Sequence, residues 1–180
     1  HANGSIVVSG SGLDIGGTQD QMHFGYVQLS GDVDIAARLP DFVRPHSTLS
    51  KAGIMIRESL AANSRHAYSY IRSAGYAGLI SRAATAGTSA TVEGPRVTRP
   101  AWLRLRRVGN EFTAFISANG TNWTQLSSTS VTMASSVSIG LAVCSKNNSG
   151  LSTATFDNVA ITPFPAPWLS ANVGATGLVG

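Results

Sequence analysis

The chain has 180 residues, 43% hydrophobic and only 12% charged, with 13 basic and 9 acidic side chains and a formal charge of +4. That length suits one domain with a real core. A charged share well below the usual quarter, filled by Gly, Ser, Thr and Ala, suits short strands, tight turns and a secreted protein more than a cytosolic enzyme. Almost all the positive charge is arginine, since Lys51 and Lys146 are the only lysines. The one dense basic group is Arg96, Arg99, Arg104, Arg106 and Arg107. Strand alternation splits it between two faces, so no nucleic-acid surface is expected. No apolar run is long enough to span a membrane. No signal peptide is visible, so export implies one already removed. Cys144 is the only cysteine, which excludes an intrachain disulfide. It adjoins the apolar run Ile139–Val143 and reads as a buried, inert thiol.

Strand signals recur along the chain, separated by Gly, Ser and Asn. The expected strands are Ser5–Ser9, Met22–Leu29, Asp32–Leu39, Ala52–Glu58, His66–Ser73 and Ala77–Arg82. Then follow Ala101–Val108, Glu111–Ser117, Trp123–Ser128, Val137–Ser145 and Thr153–Thr162. In Asp32–Leu39, Val33, Ile35, Ala37 and Leu39 point one way, and Asp32, Asp34 and Arg38 the other. That is the pattern of a half-buried antiparallel strand. Gly109-Asn110 predicts a hairpin over Ala101–Ser117, and Asn119-Gly120 marks the next turn. So many strands without helices imply an all-β sandwich or barrel.

The end of the chain changes character. Residues 1–162 read as the sandwich core, and Pro163, Pro165 and Pro167 mark a stiff linker over 163–167. Residues 168–180 read as an extra strand, whose apolar members Trp168, Leu169, Val173, Leu178 and Val179 must pair with something.

Several runs carry a resemblance. They are Gly10-Ser11-Gly12-Leu13-Asp14-Ile15-Gly16-Gly17 with Asp20, His23-Phe24 and Leu29-Ser30-Gly31-Asp32; Lys51–Leu60; Trp102–Leu105; Gly109-Asn110 with Phe112; and Thr153–Val159. In combination they resemble the DUF1349 group of concanavalin-like, laminin-G-like modules, found in large secreted bacterial proteins and beside glycoside hydrolases. The resemblance implies a two-sheet antiparallel jelly roll at the cell surface or outside the cell. Such modules open on a tryptophan-bearing strand that this chain lacks at its start. Trp168 with Asn172-Val173-Gly174, Gly177 and Gly180 looks like that strand, placed at the end. It can complete its own sandwich, or that of an identical subunit or neighbouring repeat by donor-strand complementation. The second arrangement propagates head to tail into a fibre.

For ligand binding, alternation places His66, Tyr68, Tyr70 and Arg72 on one strand face, with Arg57 and Tyr76 near in sequence. Aromatic rings flanked by polar donors suit a sugar, whose C–H faces pack on π-systems. The plainer reading is that the tyrosines fill the sandwich. Asp14, Asp20, Asp32 and Asp34 around the glycine-rich loop allow a structural calcium, but Asx-turns are the ordinary reading. His1 with His23, His46 or His66 is set aside as a copper site, because its surroundings resemble a different family. Trp102, Trp123 and Met55 read as packing residues, and Asp157-Asn158 as a polar pair fixing a bulge or strand end. No carboxylate pair, Ser-His-Asp set or phosphate loop is marked, so no catalytic residue, metal or cofactor is expected. The out-of-phase ends favour a structural subunit or repeat of an extracellular fibre; the alternative is a carbohydrate-binding module of a glycan-active enzyme or adhesin.

Overall fold

The computed structural model describes residues 4–43 and 46–164. Every extended element is a β-strand. In chain order these are β1 (Ile6–Gly12), β2 (His23–Ser30), β3 (Val33–Val43), β4 (Lys51–Arg57), β5 (His66–Arg72), β6 (Tyr76–Arg82), β7 (Ala90–Arg96), β8 (Ala101–Val108), β9 (Glu111–Ser117), β10 (Thr124–Ser130), β11 (Ser136–Cys144) and β12 (Asn147–Pro163). They form two six-stranded sheets. Sheet A has the order β1-β12-β3-β8-β9-β10, and sheet B the order β2-β11-β4-β5-β6-β7. All pairings are antiparallel. This is the two-sheet jelly-roll sandwich that the strand pattern and the resemblance implied.

The period-2 pattern of each strand decides which side chains enter the core. Val33, Ile35, Ala37 and Leu39 of β3 turn inward and are buried, as the alternation predicts. They meet Ala52, Ile54 and Ile56 of β4, Ile71 of β5, Leu103 and Leu105 of β8, and Ile139 and Leu141 of β11 in one apolar cluster. Gly109-Asn110 closes the β8–β9 hairpin, with Val108 opposite Glu111 and Gly109 at φ +59°. That left-handed conformation suits glycine. Alternation also splits the arginines of β8. Arg104 and Arg106 face outward, whereas Arg107 is buried and donates to the carbonyls of Gly109, Met133, Ala134 and Ser135.

Two elements depart from expectation. β7 contains Gly94 and Pro95, which mask its strand character, yet it forms the outer edge of sheet B. An edge is where a strand tolerates proline. β12 runs from Asn147 instead of Thr153 and pairs with β1 along its first part and β3 along its second. Its register shifts between Asp157 and Ala160, where Asn158 sits at φ +49°. Arg38 grips Asp157 there with two bonds of 2.8 and 2.6 Å, so the Asp157-Asn158 pair fixes a bulge. Pro163 is the last residue of β12, opposite Val33, and not the start of a linker. The backbone N–H of Phe164 donates to the Asp32 carbonyl at 2.9 Å. The remaining linker prolines and Trp168, Leu169, Val173, Leu178 and Val179 lie outside the described residues, as does His1.

Candidate functional site

Each sheet turns one face to the core and one away from it. The outward face of sheet B carries the residues singled out by alternation. Arg57, Met55, Gly53 and Lys51 of β4 stand opposite His66, Tyr68, Tyr70 and Arg72 of β5, and Tyr68 and Tyr70 stand opposite Ile80 and Gly78 of β6. Tyr68 and Tyr70 stack with centroids 5.7 Å apart. Gly78 makes room for this: a Cβ there would lie 2.6 Å from the Tyr70 hydroxyl.

That face is not open. The segment between β1 and β2 folds over it, and its Ile15 joins Met55, Tyr68, Tyr70, Ile80, Ala142 and Cys144 in a second buried cluster. The Tyr68 hydroxyl donates to the Ala142 carbonyl at 3.1 Å, and burial pushes its pKa well up. His66, Tyr68, Tyr70 and Arg57 are all buried, so the predicted stacking surface is corrected here. The rings pack against the protein's own loop and offer no face to a sugar. Arg72 and Tyr76 remain partly exposed at the margin, where Arg72 lies 5.0 Å from the Tyr76 ring centroid and pairs with Glu93.

Charge pins the loop down. Arg82 bonds both oxygens of Asp20, Nη2 to Oδ1 at 2.6 Å and Nη1 to Oδ2 at 2.9 Å. Its guanidinium also donates to the loop carbonyls of Gly16 and Gly17. Asp20 Oδ2 is also approached by Arg57 Nη2 at 3.5 Å and by His66 Nδ1 at 3.4 Å. Burial dominates at His66, where it lowers the pKa to about 4. At the other end of the loop Asp14 bonds Lys146 at 2.7 Å, and also Lys51. Burial alone would raise the Asp14 carboxyl, but the two ammonium groups outweigh it and hold the pKa below the ordinary value. The same contacts occupy the aspartates around the loop. Asp14 and Asp20 are neutralised by lysine and arginine, Asp34 by arginine, and no group of three or more potential metal ligands forms among the described residues.

The outward face of sheet A is different. Strand pairing lays its residues in rows: Asp157, Arg38, Trp102 and Ser117; then Ala160, Ala36, Arg104 and Phe115; then Thr162, Asp34, Arg106 and Thr113. The alanines of the middle row leave a trough. Trp123 stands on one side and Phe164 on the other, with Asp34, Arg104 and Thr162 completing a cleft of about 240 Å³. Arg104 bonds both oxygens of Asp34, with Nε at 2.8 and 2.7 Å. It also lies 5.6 Å from the ring centroids of Phe115 and Trp123, within cation–π range. Arg106 lies 5.3 Å from the Phe164 centroid. Trp102 meets Trp123 edge-on at 6.5 Å and packs against Gly120, where a Cβ would lie 2.7 Å from its ring. Trp102 is therefore a packing residue, as expected, and it holds Trp123 in place. Trp123 and Phe164 are half-buried, with Trp123 serving as a cleft wall.

The other cavities are less suited to a ligand that stacks. One of about 660 Å³ lies among Asp41, Gly75, Arg96 and Arg99 and has no aromatic lining. A cleft of about 290 Å³ beside Phe24 and Tyr26 ends on Arg57. Arg57 already donates to the Ser59 and Ala61 carbonyls and faces Asp20.

This architecture is shared with proteins of solved structure. A functionally unknown protein from Saccharomyces cerevisiae matches with a TM-score of 0.72 and 17% identity over 90% of this chain and 89% of that one. The carbohydrate-binding module CBM66 from Bacillus subtilis matches with a TM-score of 0.54 and 15% identity over 88% and 95%. A legume lectin-like domain from Entamoeba histolytica matches with a TM-score of 0.55 and 8% identity over 86% and 84%. These similarities establish a concanavalin-like jelly-roll fold. No curated protein matches the chain. A family model described as a protein of unknown function (DUF1349) matches residues 14–164, and the chain belongs to that family.

Proposed function

We propose that the chain is a non-catalytic, extracellular glycan-binding module that holds its ligand on the outward face of sheet A. The carrying observation is the trough over Ala36 and Ala160, between Trp123 and Phe164 and beside Asp34 and Arg104. A sugar ring has apolar C–H faces and polar edges. The small floor admits a ring, the aromatic walls pack on its C–H faces, and the charged groups reach its hydroxyls. The fold shared with a carbohydrate-binding module and a lectin-like domain supports the reading. A fold alone does not assign a function; the side chains of the site do. The test is calorimetric titration with a panel of soluble oligosaccharides, comparing Trp123→Ala and Phe164→Ala with Tyr76→Ala on sheet B. Loss of about tenfold or more in affinity for the two sheet A variants alone is expected. Unchanged binding by those two would remove this site.

A second reading is favoured by the seam between the free edges of β1 and β2. Ile6, Val8, Val27, Ile139, Leu141 and Ile161 line an apolar groove of about 230 Å³ there. The Phe164–Asp32 hydrogen bond brings the chain to the end of β2, the edge strand of sheet B. A strand bearing Trp168, Leu169, Val173, Leu178 and Val179, donated by an identical subunit or a neighbouring repeat, would pair with that edge and fill the groove. Assembly into a surface fibre would follow. Electron microscopy and light scattering of the full chain, beside Val173→Asp, test it. Filaments lost in the variant support donation between chains, and a monomer at every concentration overturns it.

A further inference from the structure

We propose that the sheet A trough takes an acidic sugar residue, with Arg106 pairing its carboxylate. This rests on the glycan-binding reading above and names the ligand class of the same site.

Asp34 faces two guanidinium groups, because β3–β8 pairing sets it opposite Arg106 with Arg104 one position along the same face. Arg104 is the better placed partner and bonds both carboxylate oxygens. Arg106 reaches only Oδ2, with Nε at 3.3 Å and Nη2 at 3.2 Å, an oxygen that Arg104 already occupies. One carboxylate thus serves two cations. Farther along this face Arg38 and Asp157 pair with each other, and the Asp32 carboxylate accepts from the Gly109 N–H at 2.7 Å. Arg106 therefore holds only the weaker share of Asp34, and it stands at the margin of the trough beside the Phe164 wall.

Arg106 is also available. Its side chain is 38% exposed, against 24% for Arg104 and 9% for Asp34. Among the described residues its Nη1 donates to no protein group. The nearby Phe164 ring helps to orient the guanidinium without using its N–H groups. A planar fork with unused donors is suited to a planar carboxylate, which accepts two parallel bonds. Asp34 does not repel such a group strongly, because Arg104 already neutralises it. A uronate ring lying over Ala36 and Ala160 would carry its carboxylate toward Arg106 and its hydroxyls toward Thr162 and the outer N–H groups of Arg104.

The test compares an oligogalacturonide with the same oligosaccharide after reduction of its carboxyl groups, by calorimetry at low and high salt. A preference of about tenfold for the acidic form is expected, weakening as salt rises. Arg106→Gln should abolish the preference, bringing the affinity for the acidic form down to that for the reduced form. Asp34 keeps Arg104 in that variant, and its thermal unfolding is measured alongside to confirm the fold. Equal affinity of the wild type for both forms overturns the acidic-sugar inference and leaves the glycan-binding reading standing. Binding of neither form, nor of any other glycan in the panel, overturns both. A sulfated oligosaccharide is the third arm. If it binds about tenfold more tightly than the uronate, the carboxylate assignment is overturned in favour of a sulfate on the same arginine.

Discussion

Arg82 and Asp20 form a two-point ion pair out of reach of water, and this contact ties the β1–β2 segment to the face it covers. The two residues sit 62 positions apart. Each would be costly to bury alone, because a charge withdrawn from water needs a partner and satisfied hydrogen bonds. Here the guanidinium finds the carboxylate and the carbonyls of Gly16, Gly17 and Ser64. The loop closes over Tyr68 and Tyr70 in consequence.

Asp20→Ala should therefore be strongly destabilising. It would leave Arg82 and Arg57 buried without their carboxylate. A loss on the order of 3–5 kcal/mol is expected, as for removing one partner of a buried pair. Urea denaturation of variant and wild type measures it, and a loss below about 1 kcal/mol would place the pair in the class of surface ion pairs instead.

His66 makes stability depend on pH. Its folded-state pKa is lowered from 6.5 to about 4, chiefly by burial, with Arg82 and Arg57 adding to the effect and Asp20 opposing it. Above 6.5 both states are neutral and the group contributes nothing. Between 6.5 and about 4 the unfolded chain binds the proton and the folded chain does not, so stability falls as pH falls. Below about 4 this contribution levels off. The full decline is on the order of 3 kcal/mol. Unfolding free energies across this window, for wild type and His66→Asn, should differ in slope. Parallel curves would show that the histidine does not carry the effect.

Cys144 should resist modification in the native protein. The thiol is buried, donates to the Gly12 carbonyl at 3.2 Å, and has its pKa raised by burial. A thiol-reactive dye at neutral pH should label it slowly until denaturant is added, since the thiolate is the reactive form. Rapid stoichiometric labelling under native conditions would mean that the loop opens readily.

Gly78→Val should disturb the tyrosine cluster. Its side chain would enter space held by the Tyr70 ring and by the Val92 carbonyl, 2.7 Å from the added Cβ. A destabilisation of about 1–3 kcal/mol, typical of overpacking, is expected together with a changed near-ultraviolet tyrosine signal. A stable variant with an unchanged spectrum would contradict the packing described.

Much of the sandwich is legible in single strands. The alternation in Asp32–Leu39 names the inward residues of β3, and Gly109-Asn110 names a turn, because both signals are carried by neighbours along the chain. β7 is illegible for the complementary reason: its right to hold Gly94 and Pro95 comes from its edge position, which no local pattern announces. The tyrosines divide the same way. Alternation correctly places His66, Tyr68, Tyr70 and Arg72 on one face, but the burial of the first three depends on Ile15 and Asp20, which arrive from about fifty residues upstream.

By itself the sequence determined the fold class, the strand faces, the hairpin turn and the family resemblance, since all of these are written in local periodicity or in motifs. Tertiary structure alone decided which face is open. Ala36, Arg104 and Ala160 become neighbours through the pairing of β3 with β8 and β12, and Phe164 reaches the trough only because β12 ends beside Asp32. Non-local register builds the cleft. The buried charges of one loop close the other face, and their attraction exists only once the strands are already in place.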